Sequence, residues 1–248
     1  MSVEWRRYFA EGFASAGEHE RLAVLERNYD SDTFRLLENR GVAPGLEVRG
    51  GRCRSRISGG GLADAVGPEG SVVAFDFDTT HLDHLSSRPN LEVRRHDIVA
   101  EPIGEATFDL VHTRLVIEHL PEPERLLEML AAATRPGGLL IIESTDMLTT
   151  AAADPSDHRS RRFDEFMAMS FAVVESMSTF DFGFARRLRR LFDDLDFEPC
   201  GGRVFGRIAR GGDDKALEYA LPVAGPMRPA LIERGPVSAD VIDEYLAR

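Results

Sequence analysis

The stretch Ser71–Asp78, SVVAFDFD, constrains this chain more than any other. An apolar run leads into Asp76, and Gly67-Pro68-Glu69-Gly70 stands directly before it. A short apolar run bounded by turn residues predicts a buried strand of a parallel sheet. In a doubly wound sheet, ligands bind outside the carboxyl ends of such strands. A carboxylate placed there can accept two hydrogen bonds from a ribose diol and repels a 2′-phosphate. The plain alternative is an acidic residue that merely ends a strand.

The 248 residues, 43% of them hydrophobic, suffice for one large domain or a domain with a smaller appendage. No apolar run approaches the roughly 20 residues of a membrane span. MSVEWRRYFAEGF at the start lacks the apolar core of a secretion signal, so no membrane partner is expected. Cys53 and Cys200 show no metal-ligand spacing, which predicts a reduced, cytoplasmic setting. The net charge of −12 argues against a nucleic-acid partner, because a phosphate-binding surface must be basic. RRLRR at Arg186–Arg190 is one candidate for a local basic face, and a solvated helix face is the better reading of it.

Two helices are expected first, Glu18–Asn28 and Ser31–Arg40, with Leu22, Leu25, Phe34 and Leu37 apolar and Gly41 as the stop. They either pack on a sheet edge or form a lid with Tyr29 turned inward. Pro44-Gly45 opens a first strand, Leu46–Val48. RGGRCRSRISGGG, Arg49–Gly61, reads as a glycine-rich loop where backbone can approach a ligand. Leu62–Val66 resumes a helix, and Ser71–Asp78 is the second strand. Thr79–Leu85 is a short helix carrying His81 and His84 at i, i+3; no third ligand is apparent, so no metal is expected.

Leu91–Val93 is the third strand and runs into RRHDI, which puts Asp97 at another carboxyl end and the Ile98 amide beside it. Phe108–Thr113 is the fourth. A helix from Pro121 through Ala133 follows, with Leu126, Leu127 and Leu130 facing the core. Arg135–Gly138 is a turn, and Leu139–Ile142 is a fifth strand ending in Glu143. This alternation predicts an α/β fold with a doubly wound, mostly parallel sheet and helices on both faces. Arg161–Met177 is helical and rich in Phe and Met, suiting either an apolar cavity or a core. Gly183–Leu195 is an amphipathic helix, Arg203–Arg210 a sixth strand, and Ser238 the N-cap of a last helix to Arg248.

LEV before the glycine loop, SVVAFDFD, RRHDI, FDLVHTRLVIEHLP and RPGGLLIIES follow in order from Leu46 to Ser144. In this they resemble the class I S-adenosylmethionine-dependent methyltransferases of the small-molecule, natural-product type. FDLVHTRLVIEHLP together with RPGG is the most specific part. The resemblance implies a Rossmann-like fold, S-adenosyl-L-methionine as cofactor with S-adenosyl-L-homocysteine as product, and methylation of an oxygen, nitrogen or carbon of a small molecule. It implies Glu47, Gly50 and Gly51 around the methionine portion and Asp76 on the ribose. It implies Phe77, Asp97 and Ile98 around adenine, and Thr113 and Arg114 near the sulfonium. Glu118 and His119 would face the substrate entrance, with Tyr29, Asp146, Phe166 and Met169 on the substrate side. His119 and His112 are the candidate general bases, oriented by Glu118 or Asp146; a histidine suits because its pKa lies near neutrality. The alternative for His119 is packing at a helix start.

The expected organisation is a single domain: residues 1–44 a helical lid, 45–146 the cofactor-binding core, 147–210 substrate-side helices with strand six, and 211–248 a helical tail. Two departures from the family pattern stand out. Arg49 occupies the first glycine position of E-x-G-x-G-x-G, and Arg52, Arg54 and Arg56 crowd a loop about three residues too long. This predicts weakened cofactor binding and supports a competing reading, a catalytically silent scaffold or partner protein. A third reading, an NAD-dependent oxidoreductase, is permitted by Asp76 but leaves RRHDI and VIEHLP without a role. The tail also offers no clear seventh strand, and an open sheet edge invites pairing with a second copy as a homodimer.

Overall fold

A computed structural model describes residues 18–42, 47–50, 58–79, 82, 85, 87–177, 180–206, 208, 228–235 and 238–246. They fall into two compact units, Leu22–Ser144 and Thr145–Arg248, the latter with the residues before Leu22. No described helix is long and apolar enough to cross a membrane.

The first unit is built on five parallel strands: β1 (Glu47–Gly50), β2 (Ser71–Asp76), β3 (Leu91–Arg95), β4 (Phe108–Arg114) and β5 (Thr134–Glu143). Their order is β3-β2-β1-β4-β5. The chain winds outward from β1 to β3, then crosses back to β4 and β5, so the switch point lies between β1 and β4. The α/β, doubly wound parallel expectation is met among the described residues.

Helix α1 (Glu18–Asn39) and helix α2 (Ser58–Val66) supply Leu37, Leu62, Ala63 and Val66 to a core shared with Val72, Ala74, Leu91 and Leu110 of the strands. Burying a side chain of this size contributes about 1.5–3 kcal/mol. Helix α3 (Pro123–Ala133) buries the predicted Leu126, Leu127 and Leu130. It starts two residues later than Pro121 suggests, after Glu122 takes a left-handed turn at φ 54°.

Local structure departs from expectation in four places. The two N-terminal helices are one, α1; Asn28 donates its side-chain amide to the Val24 carbonyl (2.8 Å) and does not break the helix. The helix ends at Gly41 as foreseen, with the Val42 amide reaching back to the Leu37 carbonyl (3.1 Å). Gly59–Gly61 belong to α2, not to a ligand loop: a Cβ on Gly61 would lie 2.1 Å from Cζ of Phe34, so this glycine admits α1. Residues 51–57, with Gly51, Arg52, Cys53, Arg54 and Arg56, lie outside the described residues, as do His81 and His84.

The third departure is RPGG, which is part of β5 and not a turn before it. Phe108 pairs with Thr134 and Leu110 with Leu139, so the extra residues bulge out of register. A Cβ on Gly138 would stand 2.9 Å from the carbonyl oxygens of Arg135 and Phe108 and 3.0 Å from that of Asp109. The fourth is the expected sixth strand: Arg203–Gly206 are irregular, with Val204 98% exposed, and Arg207, Ala209 and Arg210 lie outside the described residues.

The second unit contains α4 (His158–Met177), α5 (Phe184–Asp194), α6 (Arg228–Arg234) and α7 (Ala239–Leu246). Helix α6 falls within 211–248, expected to be a helical tail. Ser238 stands immediately before α7 and its carbonyl accepts the Ile242 amide (3.2 Å). Val173, Leu231 and Ile242 form the core of these helices.

Backbone carbonyls cannot retreat as side chains can. Gly138→Ala is therefore expected to destabilise the protein by roughly 1–3 kcal/mol, read as a lower urea midpoint at unchanged slope. An unaltered midpoint would show that the bulge accommodates a methyl group.

Candidate functional site

The carboxyl edge of the sheet gathers most of the residues singled out from sequence. Asp76 ends β2 and is only 1% exposed. Its Oδ1 accepts the Asp78 amide at 2.9 Å, and its carbonyl accepts the His96 amide at 2.8 Å. Phe77 follows, half-buried, and its carbonyl accepts Nε of Arg95 at 3.2 Å. Asp97 and Ile98, also half-buried, form the turn after β3. The Asp97 Oδ1 accepts the Val99 amide at 3.1 Å, so this carboxylate shapes its own turn. Gly50 ends β1.

Glu47 does not join them. Parallel pairing sets Glu47 beside Ser71 and Gly50 beside Ala74, so the Glu47 backbone is at the amino end of the sheet. It stands five positions before the level of Asp76, roughly 16 Å at a strand rise of about 3.3 Å per residue. The strand runs two residues beyond the expected Val48, which moves the acid to the opposite edge.

Between β4 and β5 the edge carries a buried polar network that the sequence reading missed. The Arg114 guanidinium lies 2.8 Å from Oδ1 of Asp30 and donates to the Thr33 hydroxyl at 2.9 Å. The Thr33 hydroxyl lies 2.9 and 3.0 Å from the two Glu143 oxygens. Nε2 of His112 lies 2.6 Å from Glu143 Oε1. The His112, Arg114, Asp30 and Glu143 side chains are 1%, 7%, 12% and 19% exposed. Burial pushes the Glu143 carboxyl up, but His112, Arg114 and Thr33 outweigh it and hold Glu143 below its ordinary value. Burial also raises Asp30, and there it wins over the pull of Arg114.

The signal was present in α1. Asp30 and Thr33 share a helical face with Phe34 and Leu37, at i, i+3, i+4 and i+7. Polar residues inside an apolar stripe need buried partners. What the sequence could not name was the partner.

Several further observations bear on what this edge can hold. Leu115, directly after Arg114, is at φ 54°, a conformation that costs a bulky residue about 1–3 kcal/mol. The Thr113 hydroxyl at the end of β4 is buried and has no hydrogen-bond partner among the described residues. Glu118 is 1% exposed and His119 half-buried in the single turn Ile117–His119. Tyr29 is half-buried on α1. Among the described residues no cluster of His, Cys, Asp and Glu is arranged to hold a metal.

Asp146, Phe166 and Met169 belong to the second unit. Both Asp146 oxygens are taken by Nε of Arg186, at 2.8 and 3.0 Å. Phe166 packs on the core of Val173, Leu231 and Ile242, and the Met169 sulfur lies 3.6 Å from where a Gly235 Cβ would stand. The basic run on α5 is neutralised: Arg186 pairs with Asp146, Arg187 with Asp181, Arg189 with Asp193 and Arg190 with Asp194. It is a solvated face, as read from sequence.

Glu143 lies below 4.5 in the folded protein, so its contribution is present above about 4.5 and lost as pH falls through the depressed value. Glu143→Gln should lower stability by roughly 2 kcal/mol at neutral pH. The difference from the wild type should shrink in urea titrations taken below pH 4.5. A pH-independent difference would remove the charge from the account.

Residues 52–199 match the family model of a methyltransferase domain. A Mycobacterium tuberculosis protein described as a probable S-adenosylmethionine-dependent methyltransferase is 34% identical over 79 residues, 32% of this chain and 29% of that one. A demethylmenaquinone methyltransferase of Staphylococcus aureus is 22% identical over 192 residues, 69% of this chain and 76% of that one. A solved S-adenosylmethionine-dependent methyltransferase from Aquifex aeolicus aligns with TM-score 0.44 and 18% identity over 66% of this chain and 79% of that one. The chain spans 38% and 29% of the length of the first two curated relatives it matches. With the matched model covering more than half of it, the chain belongs to the methyltransferase domain family.

Proposed function

We propose that this chain transfers a methyl group from S-adenosylmethionine to a small-molecule acceptor. The observation that carries the reading is the buried Asp76 carboxylate at the carboxyl end of β2, beside the switch point of a β3-β2-β1-β4-β5 sheet. When bound, S-adenosylmethionine supplies a methyl group activated on a sulfonium.

The residues present fit this cofactor. Asp76 accepts the ribose hydroxyls, and its charge repels a 2′-phosphate. Phe77, Asp97 and Ile98 flank the adenine, and Gly50, the last residue of β1, stands beside the methionine portion. The buried Thr113 hydroxyl, without a partner among the described residues, has capacity for a polar ligand atom. Arg114 is engaged by Asp30 and Thr33, so it holds α1 in place and does not meet the cationic sulfonium. His112 is likewise engaged by Glu143 inside the sheet edge. Of the two candidates that leaves His119, half-buried, and we assign it the acceptor's proton, with Glu118 beside it.

A small-molecule acceptor accords with the net charge of −12 and the paired arginines of α5. It also accords with the name of the Staphylococcus aureus relative, which refers to demethylmenaquinone.

Isothermal titration with S-adenosylhomocysteine tests the reading. Saturable binding is expected, weaker than low-micromolar because Arg49 stands at the first glycine position, and reduced roughly a further tenfold in Asp76→Asn, the usual loss when a hydrogen bond to a charged group is removed. S-adenosylhomocysteine should also raise the thermal midpoint where NAD does not. Protection by NAD instead would favour the oxidoreductase, and protection by neither the silent scaffold.

A further inference from the structure

The second unit contains a cavity that the methyl-transfer reading does not use. Its volume is about 520 Å³, inside the roughly 300–1,000 Å³ of small-molecule sites. Leu148, Phe171, Phe180 and Phe182 line it, with Glu175 and Asp181 as the charged members. The rings lean on one another and do not stack flat. The Phe171 and Phe182 centroids are 5.0 Å apart at 49°, and those of Phe180 and Phe182 4.6 Å apart at 59°. All three rings stay half-exposed, and Leu148 is 47% exposed. Apolar groups left wet together in one concavity mark a surface that something covers.

The two carboxylates differ. Asp181 is fully engaged: Arg187 reaches both of its oxygens, at 3.1 and 2.5 Å, and the Gly183 amide donates at 2.9 Å. Its charge is cancelled and its carboxyl is held below the ordinary range by the Arg187 hydrogen bonds. Glu175 is exposed and makes no ion pair or hydrogen bond among the described residues. The lining therefore presents three aromatic rings and one uncompensated negative charge. Ring faces carry negative quadrupole potential and attract cations, ammonium groups in particular. A neutral apolar ligand would satisfy the rings but leave Glu175 without a counter-charge.

We propose that this cavity is a binding site for an organic ammonium ion, with its apolar body against Phe171, Phe180 and Phe182 and its cation shared between the rings and Glu175. The proposal stands apart from the methyl-transfer reading, because every residue it uses lies in Thr145–Arg248.

Titration of the full chain with benzyltrimethylammonium and, separately, with benzyl alcohol decides it. Both contain a benzyl group; only the first bears a charge. The ammonium compound is expected to bind in the millimolar range or tighter, and roughly tenfold more tightly than the alcohol. Glu175→Gln, at an exposed position, should erase most of that preference while leaving benzyl alcohol unchanged. Phe182→Leu should weaken the ammonium compound, with its unfolding midpoint measured alongside. Equal affinity for the two ligands, no binding of the ammonium compound, or a Glu175→Gln variant that keeps the preference would each overturn the proposal.

Discussion

Two carboxylates, a guanidinium and an imidazole share a nearly dry space where α1 meets the ends of β4 and β5. None of them is stable there alone, because an isolated buried charge costs several kcal/mol. Arg114 is the hub. It neutralises Asp30, donates to Thr33 and lies close enough to Glu143 to help keep it ionised. Removing one partner of such a network leaves another charge stranded, at a cost of about 3–5 kcal/mol. The network thereby ties α1 to the carboxyl edge and sets the geometry of the ends of β4 and β5.

That tie has consequences along the strands. The Glu143 carbonyl accepts the Leu115 amide at 2.8 Å, which helps hold Leu115 in its left-handed conformation. The chain then turns sharply into the short helix bearing Glu118 and His119. On the other side of the switch point, Asp76 accepts the Asp78 amide and Asp97 the Val99 amide, each two residues on in sequence. Long-range contacts thus hold the edge where α1 crosses it, and Asp76 is buried at the end of β2.

Much of the fold was legible because its strands are short and apolar and its turns are marked by Gly and Pro. Ser71–Asp78 and Phe108–Thr113 read as strands from their apolar runs, and the strands Ser71–Asp76 and Phe108–Arg114 carry Asp76 and Thr113-Arg114 to the edge. Glu47 was misplaced because a four-residue strand has no periodicity to fix its end; pairing with Ser71–Ala74 decided it. RPGG looked like a turn because Pro and Gly usually make one, yet β4 supplies a partner strand along which it can bulge. Asp146, Phe166 and Met169 were read as substrate-side residues from chemistry; packing within the helical unit gives Asp146 to Arg186 and Phe166 to the core.

The sequence by itself determined the parallel α/β class, the family, and the acid that ends β2; the strand order came from the structure. These rest on local pattern, which neighbouring residues encode. Only the tertiary structure decided that His112 meets Glu143 across 31 positions and Thr33 meets it across 110, that α1 is unbroken, and that Gly61 serves Phe34 and not a ligand. Those outcomes depend on register and on helix placement. Both are set by burial and hydrogen bonds between segments far apart in the chain, and no single segment specifies them.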